Sequence, residues 1–376
     1  MYKICSQCVM DTSDKRISFN ENMVCEYCQN FSDFILPTWN YGKNREKDLE
    51  KLISQIKQSG VNKEYDCILG LSGGLDSAYL AHIAVKEVGL RPLFFHVDVG
   101  WNTQESVNNI NLIVDKLGAD LFTHVVDWSA MKSMQRAYFK SGLPDIDYPQ
   151  DIAYTSALYM YARKFKVKYI LNGGNFSTEC CREPEDWGGY LGVDKWFVNS
   201  VFKKYGDGSI DGFPLVDILR YKILYKYIYN LTSVYPLNYI SYTRDHAQKT
   251  LTNEYGCSTF KHKHHESVFT RFYEDFWLPK RFGYEKRRAH LSSLIMTKQI
   301  SRNEALIQLK EPVLSSDNHK KDYLYISKKL GFSKEEFDKI FSDELNHYSN
   351  FKNKRNLILL GAKILRSVGL EKRLFR

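Results

Sequence analysis

The sequence predicts an α/β protein with a doubly wound parallel sheet, and two observations support this fold class. A short apolar segment at residues 65–71 leads into a polar turn containing two glycines, and a helical segment follows at 78–85. The same order of strand, turn and helix then recurs over the next hundred residues. Such alternation is typical of a parallel sheet with helices on both faces.

The predicted elements follow the chain in order. A charged helix at 46–58 comes after a linker. Strands are predicted at 65–71, 91–97, 121–126 and 167–171, and helices at 78–85, 104–117, 129–140 and 152–166. Residues 180–213, which contain Trp187, Gly188 and Gly189, show weak periodicity, and a long irregular segment of this kind indicates a substrate lid. Beyond residue 245 the pattern is helical, with a capping sequence from Ser333 to Glu336.

These segments divide the chain into four predicted parts: a zinc-knuckle module at 1–40, a linker helix at 41–64, a nucleotide domain at 65–244 and a basic helical domain at 245–376. Beyond residue 250 there are 25 Lys and Arg against 15 Asp and Glu, although the whole chain has a net charge of only +9. A basic surface attracts anions, for example a nucleotide-sugar, nucleic acid or an acidic protein.

The composition is that of an ordinary soluble globular protein, with 43% hydrophobic and 26% charged residues. The first residues lack the apolar core of a secretion signal, and no apolar run reaches the ~18 residues that a membrane span needs. We therefore expect a cytoplasmic protein without a membrane partner.

The N-terminal module carries two C-x₂-C pairs, Cys5 with Cys8 and Cys25 with Cys28. This spacing allows four thiolates to surround Zn²⁺ tetrahedrally, which leaves no open position for catalysis. Disulfides are the alternative, but a reducing compartment disfavours them. The pattern predicts a structural zinc site that stabilises a module too small to build its own core.

The turn after the first predicted strand has the sequence Ser72-Gly73-Gly74-Leu75-Asp76-Ser77. Adjacent glycines allow the backbone to approach a ligand closely, and the amides at the start of the next helix attract phosphate. The hydroxyls of Ser72 and Ser77 can donate to phosphoryl oxygens, and Asp76 can hold Mg²⁺. The turn has neither the lysine nor the spacing of a Walker loop.

Every fixed position of this turn matches the S-G-G-x-D-S pyrophosphate loop, and the chain therefore resembles the ATP pyrophosphatases, which cut ATP into AMP and pyrophosphate. The resemblance places the nucleotide at the carboxyl ends of the strands, near Leu71, Asp98 and Val99. It also implies that a second turn, with Gly173, Gly174 and Asn175, closes over the phosphates. Glu179 is then the candidate to share the magnesium ion.

The segment Pro214-Leu215-Val216-Asp217-Ile218-Leu219-Arg220 resembles the P-L-x-x-L-x-K segment with which these enzymes bring a basic side chain to the pyrophosphate. Arg220 takes the place of the lysine, which keeps the charge and changes the geometry of the contact. Lys222 is the second candidate. Surface residues on an amphipathic helix would give the same pattern.

Several parts together resemble one branch of this superfamily, the N-acetyl sugar amidotransferases of surface-polysaccharide and nonulosonic-acid pathways such as lipopolysaccharide and O-antigen synthesis. These parts are the cysteine pairs, the turn at 172–175, and the segments 280–294 and 300–306. The family implies that ATP activates the acetamido oxygen of a nucleotide-activated N-acetyl sugar, and that ammonia then replaces this oxygen to give an acetamidino group.

The sequence has no glutaminase signature, because residue 2 is Tyr and the surroundings of Cys257 do not form a nucleophile elbow. We therefore expect ammonia to come from outside the chain. The family resemblance suggests a separate glutaminase subunit, together with a cyclase-like barrel protein as a further partner.

Two other functions stay open at this point. A tRNA-modifying, thiolating enzyme of the same superfamily would use Cys67 or the pair Cys180 and Cys181, although the sequence does not favour a nucleic acid partner. The second open function is that of a non-catalytic binding protein, with a zinc ribbon and a degenerate nucleotide fold. Cys257 with His262, His264 and His265 could form a second metal site, but the loose spacing and basic surroundings disfavour one.

Overall fold

A single parallel sheet of five strands lies at the centre of the part of the chain that the structure describes. The computed structural model describes residues 2–39, 45–187 and 193–367. The strands are β1 Cys67–Gly70, β2 Pro92–Asp98, β3 Leu121–Val125, β4 Tyr169–Leu171 and β5 Thr232–Val234. Their order is β3-β2-β1-β4-β5, and all neighbours are parallel. The chain changes direction across the sheet between β1 and β4, and ligands of such folds bind at this point.

The helices surround the sheet and continue through the C-terminal part of the chain. In chain order they are α1 Glu26–Asn30, α2 Arg45–Ser59, α3 Leu75–His82, α4 Gln104–Leu117, α5 Trp128–Lys140, α6 Tyr148–Lys164, α7 Phe176–Glu179, α8 Lys195–Tyr205, α9 Arg244–Thr250, α10 Val268–Phe272, α11 Arg287–Met296, α12 Arg302–Lys310, α13 Ser316–Leu330, α14 Lys334–Ser342 and α15 Arg355–Ser367. Wider, π-type turns extend several of them, at Phe31–Ile35, Ile83–Glu87, Arg220–Ile228, Leu251–Tyr255 and Tyr273–Phe282.

The sheet is buried on both faces, because successive side chains of each strand point in opposite directions. Ile68 and Phe95 belong to one hydrophobic cluster, which includes residues of α5 and α6. Cys67, Leu69 and Phe94 belong to the cluster on the other face, which includes residues of α2, α3 and α4. The predicted doubly wound α/β fold is confirmed.

One predicted segment is wrong in part. Residues 180–213 were expected to be irregular, but the chain forms helix α8 over Lys195–Tyr205 within them. Asp194 caps this helix by accepting hydrogen bonds from the amides of Trp196 and Phe197 at 2.9 and 3.3 Å. The apolar residues of α8 pack against α5, so this part belongs to the core. Gly188 and Gly189 lie outside the described residues.

Strand β5 was not predicted from the sequence. It has only three residues, Thr232–Val234, and none of them is fully buried. The alternation of strand and helix is also weak here, because the preceding helix over Arg220–Ile228 is largely exposed.

Among the described helices, none is long and apolar enough to cross a membrane.

The C-terminal region joins the sheet domain beside the end of β2. Ser267 forms an antiparallel bridge with Asn102, and the amide of Thr103 donates to the carbonyl of Glu266 at 2.9 Å. The amide of Val268 donates to the carbonyl of Trp101 at the same distance. This short pairing carries residues 263–266 to the carboxyl edge of the sheet.

Candidate active site and zinc centre

The first glycine turn connects β1 to α3 in a conformation that only glycine adopts easily. Gly73 has φ +80°, and a Cβ at this position would lie 2.4 Å from the carbonyl oxygen of Ser106. A Cβ on Gly74 would lie 2.5 Å from a carboxylate oxygen of Glu266. The two glycines therefore allow helix α4 and the C-terminal region to pack directly against the turn.

Hydroxyl groups and helix amides line this turn. The hydroxyl oxygens of Ser72 and Ser77 lie 3.0 Å apart, and the amide of Gly74 donates to Ser72 at 3.2 Å. Helix α3 begins at Leu75, and no side chain caps its first amides. The start of α3 thus offers the amides and partial positive charge that bind phosphate groups.

The second glycine turn follows β4 and lies against the first. A Cβ on Gly173 would lie 3.2 Å from both the carbonyl carbon of Asp76 and the amide nitrogen of Ser77. The amide of Gly174 donates to the side chain of Asn172 at 2.8 Å, and Asn175 caps the short helix α7. The two turns that the sequence singled out are therefore brought together at the switch point of the sheet.

A lysine links the two carboxylates that the sequence selected as magnesium ligands. The ammonium group of Lys263 contacts a carboxylate oxygen of Glu179 and lies 3.7 Å from Asp76. Burial opposes the charge of Lys263, but the two carboxylates outweigh this and raise its pKa. The position of Glu179 in the cleft likewise disfavours its charge, but Lys263 lowers its pKa below the usual value.

The neighbours of Lys263 hold it in place. The guanidinium of Arg244 donates to the carbonyls of Phe260 and Lys261 at 3.0 and 2.7 Å, which fixes the segment before Lys263. The hydroxyl of Tyr242, a residue that is only 1% exposed, donates to the carboxylate of Asp76. Sequence reasoning missed Lys263, since its histidine-rich surroundings drew attention to metal binding instead.

The fit of the acids to Mg²⁺ rests on their donor chemistry. Asp76 and Glu179 both offer carboxylate oxygens, the ligands that Mg²⁺ prefers. They share one cation, Lys263, so their charges are matched only in part. The pair is therefore suited to hold a magnesium ion.

Residues at the end of β2 form a hydrogen-bonded chain beside the first turn. His96 pairs through Nδ1 with the carbonyl of Leu71 at 2.8 Å, and the amide group of Asn102 donates to His96 Nε2 at 3.0 Å. Asp98 accepts from the amide of Gly100 at 2.8 Å, which shapes the loop after the strand. Burial lowers the pKa of His96, so the ring is neutral and donates from Nδ1.

The two candidates at this strand end differ from the sequence expectation. Val99 is 1% exposed and belongs to the hydrophobic core. Neither Asp98 nor Val99 lines one of the two cavities described below, whereas Leu71, His96 and Asn102 do. A nucleotide in the cleft would meet these three residues.

Two connected cavities open at this edge of the sheet. The smaller has a volume of about 280 Å³ and is lined by the two glycine turns, Glu179, Arg244 and Lys263. The larger cleft has a volume of about 2260 Å³. Ser72, Asn172, Glu179, His264 and Glu266 line both cavities, so a ligand in the cleft can reach the pyrophosphate loop.

Arg220 is not brought to this place. It is exposed at the start of the π-type helix Arg220–Ile228 and lines neither cavity. Lys222, the second candidate, lines the large cleft but not the small cavity at the loop. Lys263, from the C-terminal region, and Arg244, at the start of α9, line the small cavity at the two turns instead.

The four N-terminal cysteines form a compact cluster. All four sulfur atoms of Cys5, Cys8, Cys25 and Cys28 lie within 4.8 Å of one another, and all four side chains are buried. Two sulfur pairs are 3.6 and 3.9 Å apart. Tetrahedral zinc with Zn–S bonds of about 2.3 Å requires sulfur atoms about 3.8 Å apart. The cluster therefore fits a structural zinc ion.

The cysteine cluster is attached to the C-terminal region. The guanidinium of Arg302 donates to the carbonyls of Cys5 and Cys8 at 2.8 and 3.0 Å. Arg288 donates to the carbonyl of Val9 at 2.8 Å and forms an ion pair with Asp11 at 3.0 Å. The cysteine cluster thus supports α11 and α12.

The remaining cysteines and histidines do not form a second cluster in the described part of the chain. Cys257 is buried in the core, and His264 and His265 pair separately with Glu274 and Asp275 at 3.0 and 2.8 Å. Burial raises the pKa of Cys180 to about 12 and also raises that of Cys181. Both thiols are therefore protonated and unreactive.

Comparison with known proteins supports the resemblance seen in the sequence. Residues 266–365 match the family model described as "LPS biosynthesis protein WbpG-like, C-terminal domain". The NH(3)-dependent NAD(+) synthetase of Pyrococcus horikoshii is 22% identical over 182 residues, which are 47% of this chain and 60% of the relative. The enzyme of the same name from Methanococcoides burtonii is 24% identical over 169 residues, or 42% and 53% of the two chains.

The chain thus spans between half and two thirds of the length of these relatives. A solved structure of NMN synthetase from Francisella tularensis has 16% sequence identity and a TM-score of 0.29, with 62% of this chain and 93% of that chain covered.

The glycine turn after β1, the second turn after β4 and the matched C-terminal domain occur together in one chain. The chain is thus similar to a WbpG-like LPS biosynthesis protein in its C-terminal part and to ammonia-dependent NAD(+) synthetases over about half of its length.

Proposed function

We propose that this protein is an ATP-dependent amidotransferase that converts the acetamido group of a nucleotide-activated N-acetyl sugar into an acetamidino group. One observation carries the proposal: the two glycine turns meet at the switch point, and Asp76, Glu179 and Lys263 converge beside them. This arrangement provides both the amides and the charges that an ATP triphosphate requires.

The proposed reaction begins with the triphosphate of ATP in the small cavity and the rest of the nucleotide in the large cleft. The amides at the start of α3 and the hydroxyls of Ser72 and Ser77 bind the phosphates, and Lys263 compensates charge that develops on the leaving pyrophosphate. A magnesium ion held by Asp76 and Glu179 would supply further compensation of this charge. The acetamido oxygen forms a bond to the α-phosphorus, the bond to pyrophosphate breaks, and the acetamido nitrogen loses its proton to solvent.

The second half of the reaction replaces the activated oxygen. Ammonia adds to the carbon of the adenylated acetimidate, and AMP leaves with the electrons of the broken C–O bond. The large cleft, at about 2260 Å³, exceeds the 300–1,000 Å³ of common ligand pockets and has room for both ATP and a nucleotide-sugar. We propose that the ammonia comes from a separate glutaminase, with a cyclase-like barrel protein as a further partner.

The thiolation alternative gains no support from the cysteines. Burial raises the pKa of Cys67, Cys180 and Cys181, so these sulfur atoms are protonated thiols rather than nucleophilic thiolates. A non-catalytic protein would not need the charged groups of Asp76, Glu179 and Lys263 to converge beside the glycine turns.

The test is to incubate the purified protein with ATP, Mg²⁺, ammonium chloride and a set of UDP-linked N-acetyl sugars. We expect AMP and pyrophosphate to form only with a suitable sugar, and mass spectrometry to show that this sugar has exchanged O for NH. Glutamine should not replace ammonium without a partner protein. Formation of ADP, or release of pyrophosphate without change in any sugar, would contradict the proposal.

A further inference from the structure

Three carboxylates before and at the start of α6 face the large cleft without a positive partner. Asp145, Asp147 and Asp151 all line this cleft. In the described part of the chain, none of them has a basic nitrogen within the 4.0 Å that defines an ion pair. Asp147 is buried and Asp145 half-buried, whereas Asp151 is exposed. A carboxylate in a recessed position is costly unless a cation matches it.

The two cations whose charges act on these acids already have partners. Lys286 forms ion pairs with Glu183 and Glu274 at 3.0 and 3.3 Å. His264, which also lines the cleft, pairs with Glu274 at 3.0 Å. Even with Arg182, which also lines the cleft, these three cations are outnumbered by the five acids Asp145, Asp147, Asp151, Glu183 and Glu274. The cleft here therefore attracts a positive ligand.

A buried hydroxyl group nearby also lacks a partner. Tyr273 is 1% exposed and lines the same cleft, and its hydroxyl has no hydrogen-bond partner. The charges of Asp145 and Asp147 act on this tyrosine in addition to its burial, and together they raise its pKa so that it stays neutral. An unpaired buried hydroxyl costs about 1–3 kcal/mol, so a ligand with hydrogen-bond donors would stabilise this position.

The arrangement does not suit a divalent metal ion. Among the described residues, only the four N-terminal cysteines place three or more ligand atoms all within 4.8 Å of one another. The carboxylates of Asp145, Asp147 and Asp151 therefore do not converge on one point as three protein ligands of a single metal ion would. A monovalent cation with several N–H donors can instead bridge acceptors that are more widely spaced.

We propose that Asp145, Asp147 and the hydroxyl of Tyr273 form a binding site for the ammonium ion, where it gives up a proton and becomes the ammonia nucleophile. This inference rests on the proposed function, and it assigns one substrate of that reaction to a place. The cleft that holds these residues also reaches Ser72 and Glu179 at the pyrophosphate loop, so ammonia formed there has a path to the activated sugar.

The proposed proton transfer conserves atoms and charge. One proton passes from the ammonium nitrogen to a carboxylate oxygen of Asp147, which leaves neutral ammonia with a lone pair. This lone pair forms the new C–N bond to the adenylated acetimidate, whose nitrogen carries no proton, and the C–O bond to AMP breaks. AMP leaves as the anion, and the product keeps the three ammonia hydrogens as an amidinium ion.

Asp147 is the best placed of the acids to accept this proton. It is buried, and this burial together with the charge of Asp151 raises its pKa to about 7. A carboxylate with a raised pKa is a stronger base than an ordinary aspartate. The side-chain amide of Gln150 donates to the same carboxylate and fixes its orientation.

A binding measurement tests the site without relying on catalysis. The melting temperature of the full chain is measured in ammonium chloride, potassium chloride and tetramethylammonium chloride at equal ionic strength. We expect a saturable rise of a few degrees in ammonium chloride alone. Asp147→Asn and Tyr273→Phe should abolish the rise, whereas Asp115→Asn, on the exposed side of α4, should keep it. An equal rise in potassium chloride, or a rise that survives both variants, would overturn the proposal.

An activity measurement separates this inference from the proposed function. Sugar-dependent exchange of pyrophosphate into ATP reports the first half-reaction and needs no ammonium. In Asp147→Asn we expect exchange within about 3-fold of wild type, but a KM for ammonium at least 10-fold higher. An equal loss of exchange and amidination would show that Asp147 serves the sugar or ATP instead. An ammonium-specific shift in a wild-type protein that amidates no sugar would reject the proposed function and leave the site in place.

Discussion

The ammonium group of Lys263 lies 3.7 Å from the carboxylate of Asp76 in the pyrophosphate loop, although the two residues are far apart in the sequence. Lys263 comes from the C-terminal region, whereas Asp76 lies on the first helix after β1. The loop that binds ATP in our proposal is thus completed by a residue from outside the sheet domain.

We predict that Lys263→Met lowers the rate of sugar-dependent pyrophosphate release at least 100-fold. The variant removes the cation that compensates charge on the leaving group, an effect that typically costs several kcal/mol of transition-state stabilisation. The measurement is steady-state release of pyrophosphate at saturating ATP. Lys261→Met is the matched control, since Lys261 is exposed and contacts only Glu311 at 3.8 Å among the ion pairs of the described residues; its rate should stay within about 2-fold of wild type.

The same assay decides between Lys263 and Arg220. Because Arg220 is exposed and lies outside both cavities, we expect Arg220→Met to lower the rate much less than Lys263→Met. If the two variants lost activity equally, the role that the sequence assigned to Arg220 would be restored.

Gly73→Ala should weaken ATP binding and destabilise the fold. Alanine is strained at φ +80°, and its Cβ would lie 2.4 Å from the carbonyl of Ser106, so the turn or helix α4 must move. We expect a loss of about 2–3 kcal/mol in the free energy of unfolding and an increase of at least 10-fold in the KM for ATP. Gly118→Ala is the control: this glycine follows α4 at φ +61° with no atom near its Cβ and lines neither cavity, so its substitution should leave the KM for ATP unchanged. An unchanged KM in Gly73→Ala would show that the turn does not approach the triphosphate.

The sequence predicted the sheet and its turns because these features depend on local signals. Apolar runs of strand length, followed by glycines and a helical period, are visible within about twenty residues, and the structure places helix α4 at the predicted residues. The four cysteines were equally predictable, because two short spacings already define the ligands.

The site residues from the C-terminal region could not be found in this way. The bridge between Asn102 and Ser267 brings Lys263 to the small cavity and Tyr273 to the large cleft, and no local pattern reveals this contact. Arg220 was selected by its place in a motif, but the helix that begins there leaves it exposed. Helix α8 was missed because its apolar face packs on α5 within a segment of mixed composition.

Removal of zinc should destabilise more than the N-terminal module. Since Arg288 and Arg302 bind carbonyl groups within the cysteine cluster, loss of the metal should also loosen α11 and α12. We expect one zinc ion per chain, and faster hydrogen exchange in both helices after chelation or in Cys8→Ser. Cys257→Ser is the control, because Cys257 lies in another core and should leave the zinc content at one. Unchanged exchange in α11 and α12 after complete loss of zinc would refute this coupling.

The pH dependence of stability should report on Asp147. Burial and the charge of Asp151 raise its pKa in the folded protein to about 7, from 3.8 for the unfolded chain. Between these values the folded state retains a proton that the unfolded state has lost, so stability must fall as the pH rises from about 4 to 7. The charged groups that act on Asp147 besides Asp151 are Lys286 and Glu274.

Asp147→Asn should therefore be more stable than wild type at pH 8, where the wild-type protein pays the full cost of this buried charge. Three pKa units correspond to about 4 kcal/mol, and we expect a gain of about 2–4 kcal/mol at pH 8 and almost none at pH 4. The asparagine can still accept from the side chain of Gln150, so the local structure should be kept. Urea unfolding at the two pH values measures the difference, and equal stabilities at both would mean that Asp147 ionises normally. If Asp147→Asn were more stable but no longer bound ammonium, the result would show that the carboxylate of Asp147 serves ammonium binding at a cost in stability.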